Sequence, residues 1–237
     1  MNVQSVKAAK NYDESVLAGD GENDYAKYMR TTALLSLQVA PEQMHHRDEM
    51  LFQIVHQSTE LWLKLACHEL EESARCIDRR CASDAVALID RASCCIGLLI
   101  DQLEILSHMT PWDFRQVRVA LGNGSGFESP GWRRVQKAGG LLCASFDRFT
   151  ESEGIDLLKL YKEQRNSPAF NLAEALVDWD EKVSLWRTRH YKVAVRTIGH
   201  NTVGTKGTPV DALARLINHK FFPRLWEVRS ALFESAY

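Results

Sequence analysis

The longest apolar pattern in the chain repeats with the spacing of an α-helix. Between Asp48 and about Arg75, apolar residues recur three and four positions apart, so they would cover a wide face of one long helix. Only 6 prolines and 13 glycines interrupt the 237 residues, and no stretch alternates apolar and polar residues as a half-buried strand does. The chain is therefore predicted to be all-α and to form a single-domain helical bundle over residues 25–237.

The remaining predicted helices begin at capping residues or prolines and end near glycine or proline. Thr110, followed by Pro111 and Asp113, is typical of a helix N-terminus. The predicted helices cover residues 25–40, 48–75, 83–108, 110–121, 132–149, 157–163, 172–198 and 211–233.

The N-terminal 24 residues are polar, and they are predicted to be a mobile segment outside the helical domain. They contain no apolar stretch of the kind found in a secretory signal. The longest apolar run, residues 92–100, is too short to span a bilayer. These features predict a protein that is not inserted in a membrane.

Net charge and cysteine content argue against a protein that binds nucleic acid or a membrane surface, and against one that depends on disulfides or zinc. The formal net charge is -2, so no strong field would attract nucleic acid or a membrane surface. The six cysteines form no C-x-x-C pair. Free thiols in a reducing cytoplasm are therefore expected rather than disulfides or zinc.

Three ring-and-polar pairs are separated by four residues, which places each pair on one helix face. They are Phe52 with His56, Phe114 with Arg118, and Trp186 with His190. Spacing alone leaves the role of each open, because such pairs are common. From spacing alone, His56 is better explained as a core histidine, Arg118 as a solvated or ion-paired arginine, and His190 as part of a basic surface.

Several common functional motifs are either absent from the sequence or occur in the wrong structural context. The glycine-rich segment 121–127 follows a helix rather than a strand, and segment 204–208 is not a phosphate-binding loop. A di-iron bundle needs two Glu-x-x-His motifs, but only Glu42-x-x-His45 is present. No G-x-S-x-G motif supports a serine hydrolase.

Four blocks of sequence resemble the tryptophan 2,3-dioxygenase family and occur in that family's order. The blocks are Tyr25-Ala-Lys-Tyr28; Met50 to Lys64 with its lead-in His46 to Glu49; Leu106 to Arg118 followed by Ser125 to Ser129; and Trp186-Arg-Thr-Arg-His190 followed by Ile198-Gly199 and Gly204-Thr205. Two departures accompany the resemblance. The region between Phe149 and Trp186 is short and lacks a helical insertion, and the terminal motif reads Gly-Thr-Lys-Gly-Thr-Pro209.

The resemblance implies a haem b cofactor enclosed by the helical bundle. His190 would be the proximal iron ligand, with Trp186 beside the porphyrin. Arg133 would lie near a propionate, while Ser125 and Gly126 would line the distal pocket.

The resemblance also implies how an amino-acid substrate would be held. Arg118 would bind its carboxylate through a bidentate guanidinium fork, Thr205 would contact its ammonium group, and His56 would face the indole N–H. The aromatic residues expected to form a slot for the indole are Phe52, Phe114, Tyr25 and Tyr28, the two tyrosines arriving from a neighbouring subunit.

The implied reaction inserts O2 across indole C2–C3 of L-tryptophan to give N-formylkynurenine. The departures leave two alternatives: a haem-dependent mono-oxygenase acting on tryptophan, a methylated tryptophan or another aromatic amino acid, and a non-catalytic haem sensor. The implied assembly is a homotetramer built as a dimer of dimers.

Overall fold

The computed structural model describes residues 14–200, 202–204 and 206–234. This part of the chain contains ten α-helices and no β-strand, with one isolated bridge between Val203 and Pro209. The all-α prediction is confirmed. The helices are α1 (Asp24–Met29), α2 (Thr31–Leu35), α3 (Glu49–Asp78), α4 (Ala82–Leu106), α5 (Pro111–Ala120), α6 (Pro130–Ser152), α7 (Leu157–Glu163), α8 (Pro168–Ile198), α9 (Ala212–Ile217) and α10 (Pro223–Glu234).

The chain divides into two compact units, Met1–Gln43 and Met44–Tyr237. The first unit holds α1 and α2. A single helix over residues 25–40 was expected here, and that expectation is wrong. Arg30 takes a left-handed backbone conformation with φ of 53°, and this ends α1 and separates it from α2. The boundary predicted after residue 24 stays a prediction, and residues 1–13 lie outside the described part.

The second unit is a bundle built on its four longest helices. Helix α4 packs against both α3 and α8, and α6 packs against α3. At 30 residues, α3 is about 45 Å long, so it supplies one wall of the bundle along its whole length. The core between these helices includes side chains with no accessible surface. They include Leu63 and Leu70 of α3, Ile89 and Ile96 of α4, Leu142 of α6, and Leu172, Leu176 and Trp179 of α8.

The C-terminal segment differs from its prediction as one helix over residues 211–233. It forms α9 and α10, separated by residues 218–222. The fully buried carboxylate of Asp180 accepts hydrogen bonds from the backbone N–H groups of Phe221 and Phe222 and from Nε1 of Trp226 at 2.9 Å. In a continuous helix these backbone N–H groups would bond to carbonyl groups of the helix itself. Outside a helix they need another acceptor, and the Asp180 carboxylate supplies it. Pro223, which a helix interior would not tolerate, starts α10.

The longest of the described helices, α8, has 31 residues. None of them combines the length and the apolarity needed to cross a bilayer.

Candidate functional site

Helix α3 carries the first of two candidate histidines, His56. The Nδ1 atom of His56 lies 2.7 Å from the carbonyl oxygen of Phe52, one turn earlier. Because a carbonyl can only accept, Nδ1 must carry the hydrogen, and Nε2 of the neutral ring keeps a free lone pair. Burial lowers the pKa of His56 below its ordinary value. The ring is therefore a neutral acceptor at physiological pH.

Aromatic rings from two helices meet beside His56. The Phe52 ring stacks on His56, with 4.0 Å between ring centroids, and the Phe114 ring of α5 lies 6.0 Å from Phe52. Helix α5 is held at its start by the predicted cap. Thr110 Oγ1 accepts from Asp113 N, and the Asp113 carboxylate accepts from Thr110 N, which completes a capping box.

Arg118 lies one turn after Phe114 on α5 and is half-buried. Its Nη2 donates to the carbonyl oxygen of Val203 across 3.5 Å, so the guanidinium reaches the loop between α8 and α9. Arg118 makes no salt bridge with any described carboxylate. Its charged fork is placed where a carboxylate brought by a ligand could pair with it.

Helix α8 carries the second histidine. The imidazole of His190 stacks on the indole of Trp186, with 4.8 Å between centroids and 9° between planes. Burial, followed by the repulsion that His56 exerts when it is protonated, lowers the pKa of His190 to about 4. The two histidines thus lie within electrostatic reach of each other. A ring with this pKa is neutral at physiological pH and keeps a lone pair for a metal ion.

The stack on α8 extends into α6. The indole of Trp132 lies 4.0 Å from that of Trp186, so two indoles and one imidazole follow in a row. Arg187, buried next to Trp186, donates from Nη1 to the carbonyl oxygens of Leu216 and His219. These bonds tie the turn of α8 that carries the stack to the end of α9.

The two histidine rings are accessible to solvent and also surrounded by protein. His56 is exposed and His190 is partly exposed, yet burial is the main cause of the lowered pKa of both rings. Each ring therefore has protein on some sides and solvent on others. Separately, an open cleft of about 380 Å³ is lined by Ser125, Phe127, Glu128, Lys206, Thr208, Ala212, Arg215 and Leu216.

The remaining candidate residues lie at different places. Gly126 begins a short 3-10 turn, and Ser125 caps that turn by accepting from Phe127 N at 3.4 Å. Arg133 donates to the carbonyl oxygen of Glu128 at 2.5 Å. Tyr25 and Tyr28 are exposed on α1 in the first unit. Thr205 lies outside the described residues.

The structure thus brings some candidate residues together and leaves others apart. Phe52, His56 and Phe114 form one group, and Trp186 and His190 form another. Trp132 was missed by the sequence interpretation, although it directly precedes the candidate Arg133. Its position next to Arg133 was the only feature of the sequence that pointed to it.

Fold and geometry define a class of protein: an all-α bundle that carries two neutral histidines, each stacked on an aromatic ring and within electrostatic reach of the other. Comparison with known proteins then identifies the family. The family model for tryptophan 2,3-dioxygenase matches residues 10–148, which is more than half of the chain. The chain belongs to the tryptophan 2,3-dioxygenase family.

Similar proteins span nearly the whole chain. A protein named tryptophan 2,3-dioxygenase from Arthrobacter sp. (strain FB24) is 31% identical, with 88% of this chain and 91% of the relative covered. A protein of the same name from Bacillus thuringiensis subsp. konkukian (strain 97-27) is 29% identical, with 88% of this chain and 92% of the relative covered. Another, from Myxococcus xanthus (strain DK1622), is 28% identical, with 90% of each chain covered. The alignments run over 260 to 265 positions, more than the 237 residues of this chain. The relatives therefore contain residues that this chain lacks.

The residues present fit a haem. Among the described residues, no group of three or more His, Cys, Asp or Glu side chains converges, but an iron held by a porphyrin needs only an axial ligand from the protein. His190 supplies a neutral, partly exposed imidazole. Nε1 of Trp186 is buried and has no hydrogen-bond partner among the described atoms. A buried N–H of this kind calls for an acceptor, which a bound polar molecule could supply.

Proposed function

We propose that this protein is a haem-dependent dioxygenase that inserts O2 across indole C2–C3 of L-tryptophan and releases N-formylkynurenine. One observation carries the proposal: α3 and α8 each present a neutral histidine stacked on an aromatic ring, and the Nδ1–H of His56 is held so that its Nε2 keeps a free lone pair. The first suits the contact with an indole N–H, and the second suits an iron ligand. Family membership supports the same assignment.

Substrate binding would rest on charge at one end and flat apolar surface at the other. Arg118 holds the amino-acid carboxylate with two charge-assisted bonds. The rings of Phe52 and Phe114, 6.0 Å apart, offer the indole an apolar contact. Tyr25 and Tyr28 are proposed to add to this slot, and Thr205 to contact the ammonium group.

His56 is the proposed acid–base residue. Its Nδ1–H is held by the Phe52 carbonyl, so the ring keeps one tautomer and presents Nε2 to the indole N1–H. Nε2 orients the indole and can take the N1 proton during the reaction and return it to the same nitrogen, because N-formylkynurenine keeps an N–H there. When bound, haem b supplies the oxygen chemistry, and the protein supplies position and exclusion of water. His190, Trp186, Arg133, Ser125 and Gly126 are proposed to hold the haem.

The product of turnover under labelled oxygen tests this function. We expect protein reconstituted with haem to convert L-tryptophan under ¹⁸O₂ to N-formylkynurenine carrying two labelled atoms, as read by mass spectrometry. One labelled atom, with a need for added reductant, would show a mono-oxygenase. No turnover and no change of the ferric haem spectrum with tryptophan, methylated tryptophan or tyrosine would show a haem sensor.

We also propose that the protein is a homotetramer built as a dimer of dimers. Two neighbouring helices expose apolar stripes: Ile54, Leu61 and Leu65 share a face of α3, and Leu98 and Ile105 share a face of α4. Exposed apolar stripes of this kind are typical of interfaces between subunits. The six cysteines are free thiols, which supports a cytoplasmic location.

A charge placed in the α3 stripe tests the assembly. We expect Leu61→Asp to give a smaller species than the unchanged protein in light scattering and to lower turnover, because Tyr25 and Tyr28 would no longer complete a neighbour's pocket. Leu141→Asp, at an exposed position of α6, is the matched control and should keep the native size. A fully active monomer would contradict the shared pocket.

A further inference from the structure

The carboxylate of Glu60 joins the helix of one histidine to the start of another helix. Glu60 lies one turn after His56 on α3. Its Oε1 accepts from Ser129 Oγ at 2.5 Å, and its Oε2 accepts from Gly131 N at 2.8 Å. Ser129 is the N-cap of α6 and Gly131 lies in its first turn, where backbone N–H groups have no partner within the helix and favour a negative charge.

Two features make this junction specific. Ser129 Oγ also accepts from Trp132 N at 3.1 Å, so the hydroxyl links the carboxylate to the residue that carries the indole. A Cβ at Gly131 would lie 2.6 Å from Glu60 Oε2 and 2.8 Å from Leu63 Cδ1. Only glycine therefore lets α3 and the start of α6 approach this closely.

The junction between Glu60 and the start of α6 is connected to His190 through two tryptophan side chains. Trp132 contacts Trp186, and Trp186 stacks on His190. The path from Glu60 to His190 therefore consists of two hydrogen bonds and two ring contacts. His56 lies on the same helix as Glu60, so one carboxylate connects the supports of both histidines.

We propose that Glu60 is a positioning residue that sets the Trp132–Trp186–His190 stack relative to His56. The inference rests on the roles of His56 and His190 proposed above, but its geometry does not require bound haem. A purely structural role would be different: loss of Glu60 would lower stability and leave the stack where it is.

The experiment uses the haem-free protein and the near-ultraviolet circular dichroism of its tryptophans. Two indoles whose centroids are 4.0 Å apart are expected to couple, and Trp132→Phe identifies their signal. We expect Glu60→Ala to remove most of it. Glu60→Gln should restore most of it, because the amide oxygen can accept from Gly131 N while the amide NH₂ donates to Ser129 Oγ.

A second bridge between the same two helices provides the matched control. The carboxylate of Glu71 on α3 accepts two bonds of 2.8 Å each from Arg134 on α6, away from the stack. Glu71→Ala should lower stability and leave the tryptophan signal unchanged. If Glu60→Ala behaves as Glu71→Ala does, the positioning role is wrong.

Two further measurements keep the inference testable. If Glu60→Ala does not fold, Ser129→Ala breaks the same path at the hydroxyl, and an unchanged tryptophan signal in that variant would overturn the proposal. In haem-loaded Glu60→Ala we expect a changed ferric spectrum and a lower kcat, with the KM for tryptophan kept because Arg118 is untouched. Failure of the proposed function would instead be visible in the unchanged protein, as absent haem binding or turnover.

Discussion

Replacing His190 with alanine is expected to remove most of the haem from the purified protein. A haem iron gains its attachment to the protein from the axial ligand. His190 presents a neutral imidazole because burial lowers its pKa to about 4, helped at low pH by repulsion from His56 once that ring is protonated, so no proton competes with the metal at physiological pH. The measurement is a titration of haem-free protein with haemin, followed at the Soret band.

Two variants make this result specific to the ligand. His200 lies shortly after α8 and is exposed, so His200→Ala should bind haem as the unchanged protein does. His56→Ala should keep its haem and lose turnover, since His56 is assigned to the substrate side. Added imidazole should restore haem binding to His190→Ala by filling the space of the lost ring. Normal haem content in His190→Ala together with its loss in His200→Ala would show that the ligand is misassigned.

Replacing Arg118 with alanine is expected to weaken tryptophan binding severely while sparing haem. Truncating one partner of a charge-assisted pair costs roughly 2 to 5 kcal/mol, and the lower end already corresponds to about a thirtyfold change in Kd. The lower end applies best, since the side chain is only half-buried and water screens part of the interaction. Tryptophan titration monitored by the haem spectrum measures the change.

Arg118→Lys and Arg115→Ala complete this test. Lysine keeps the charge but cannot form the bidentate fork, so binding should stay weak. Arg115 is exposed on the same helix and lies over the Trp112 ring at 5.6 Å, so its loss should leave tryptophan binding unchanged. An unaltered Kd in Arg118→Ala would remove this residue from the substrate site. Arg118 also contacts the Val203 carbonyl, so proteolysis of the loop should be checked in the same variant.

Features that depend on neighbouring residues were predictable from the sequence. The helix spacing of apolar residues predicted α3, α4, α6 and α8, and Thr110 with Asp113 predicted the capping box of α5. The stacked pairs Phe52–His56 and Trp186–His190 follow from the same local rule, because residues four apart on a helix lie one turn apart on one face.

The prediction was wrong where a tertiary contact overrode the local propensity to form a helix. Residues 211–233 have helical composition, but the buried Asp180 carboxylate binds the N–H groups of Phe221 and Phe222 and keeps this stretch out of a helix. Pro223 was the sequence signal for a helix break at this point, because proline starts a helix more readily than it continues one. The break at Arg30 had no comparable signal.

The sequence by itself determined the class of fold, the helix ends with strong caps, and which rings share a helix face, because each depends on residues a few positions apart. Only the tertiary structure decided which faces meet. It set His56 within electrostatic reach of His190, the indole of Trp132 on that of Trp186, and the Glu60 carboxylate at the start of α6. These contacts join residues far apart in the chain, and they arise from how the buried apolar faces of α3, α4, α6 and α8 pack together, which no local pattern specifies.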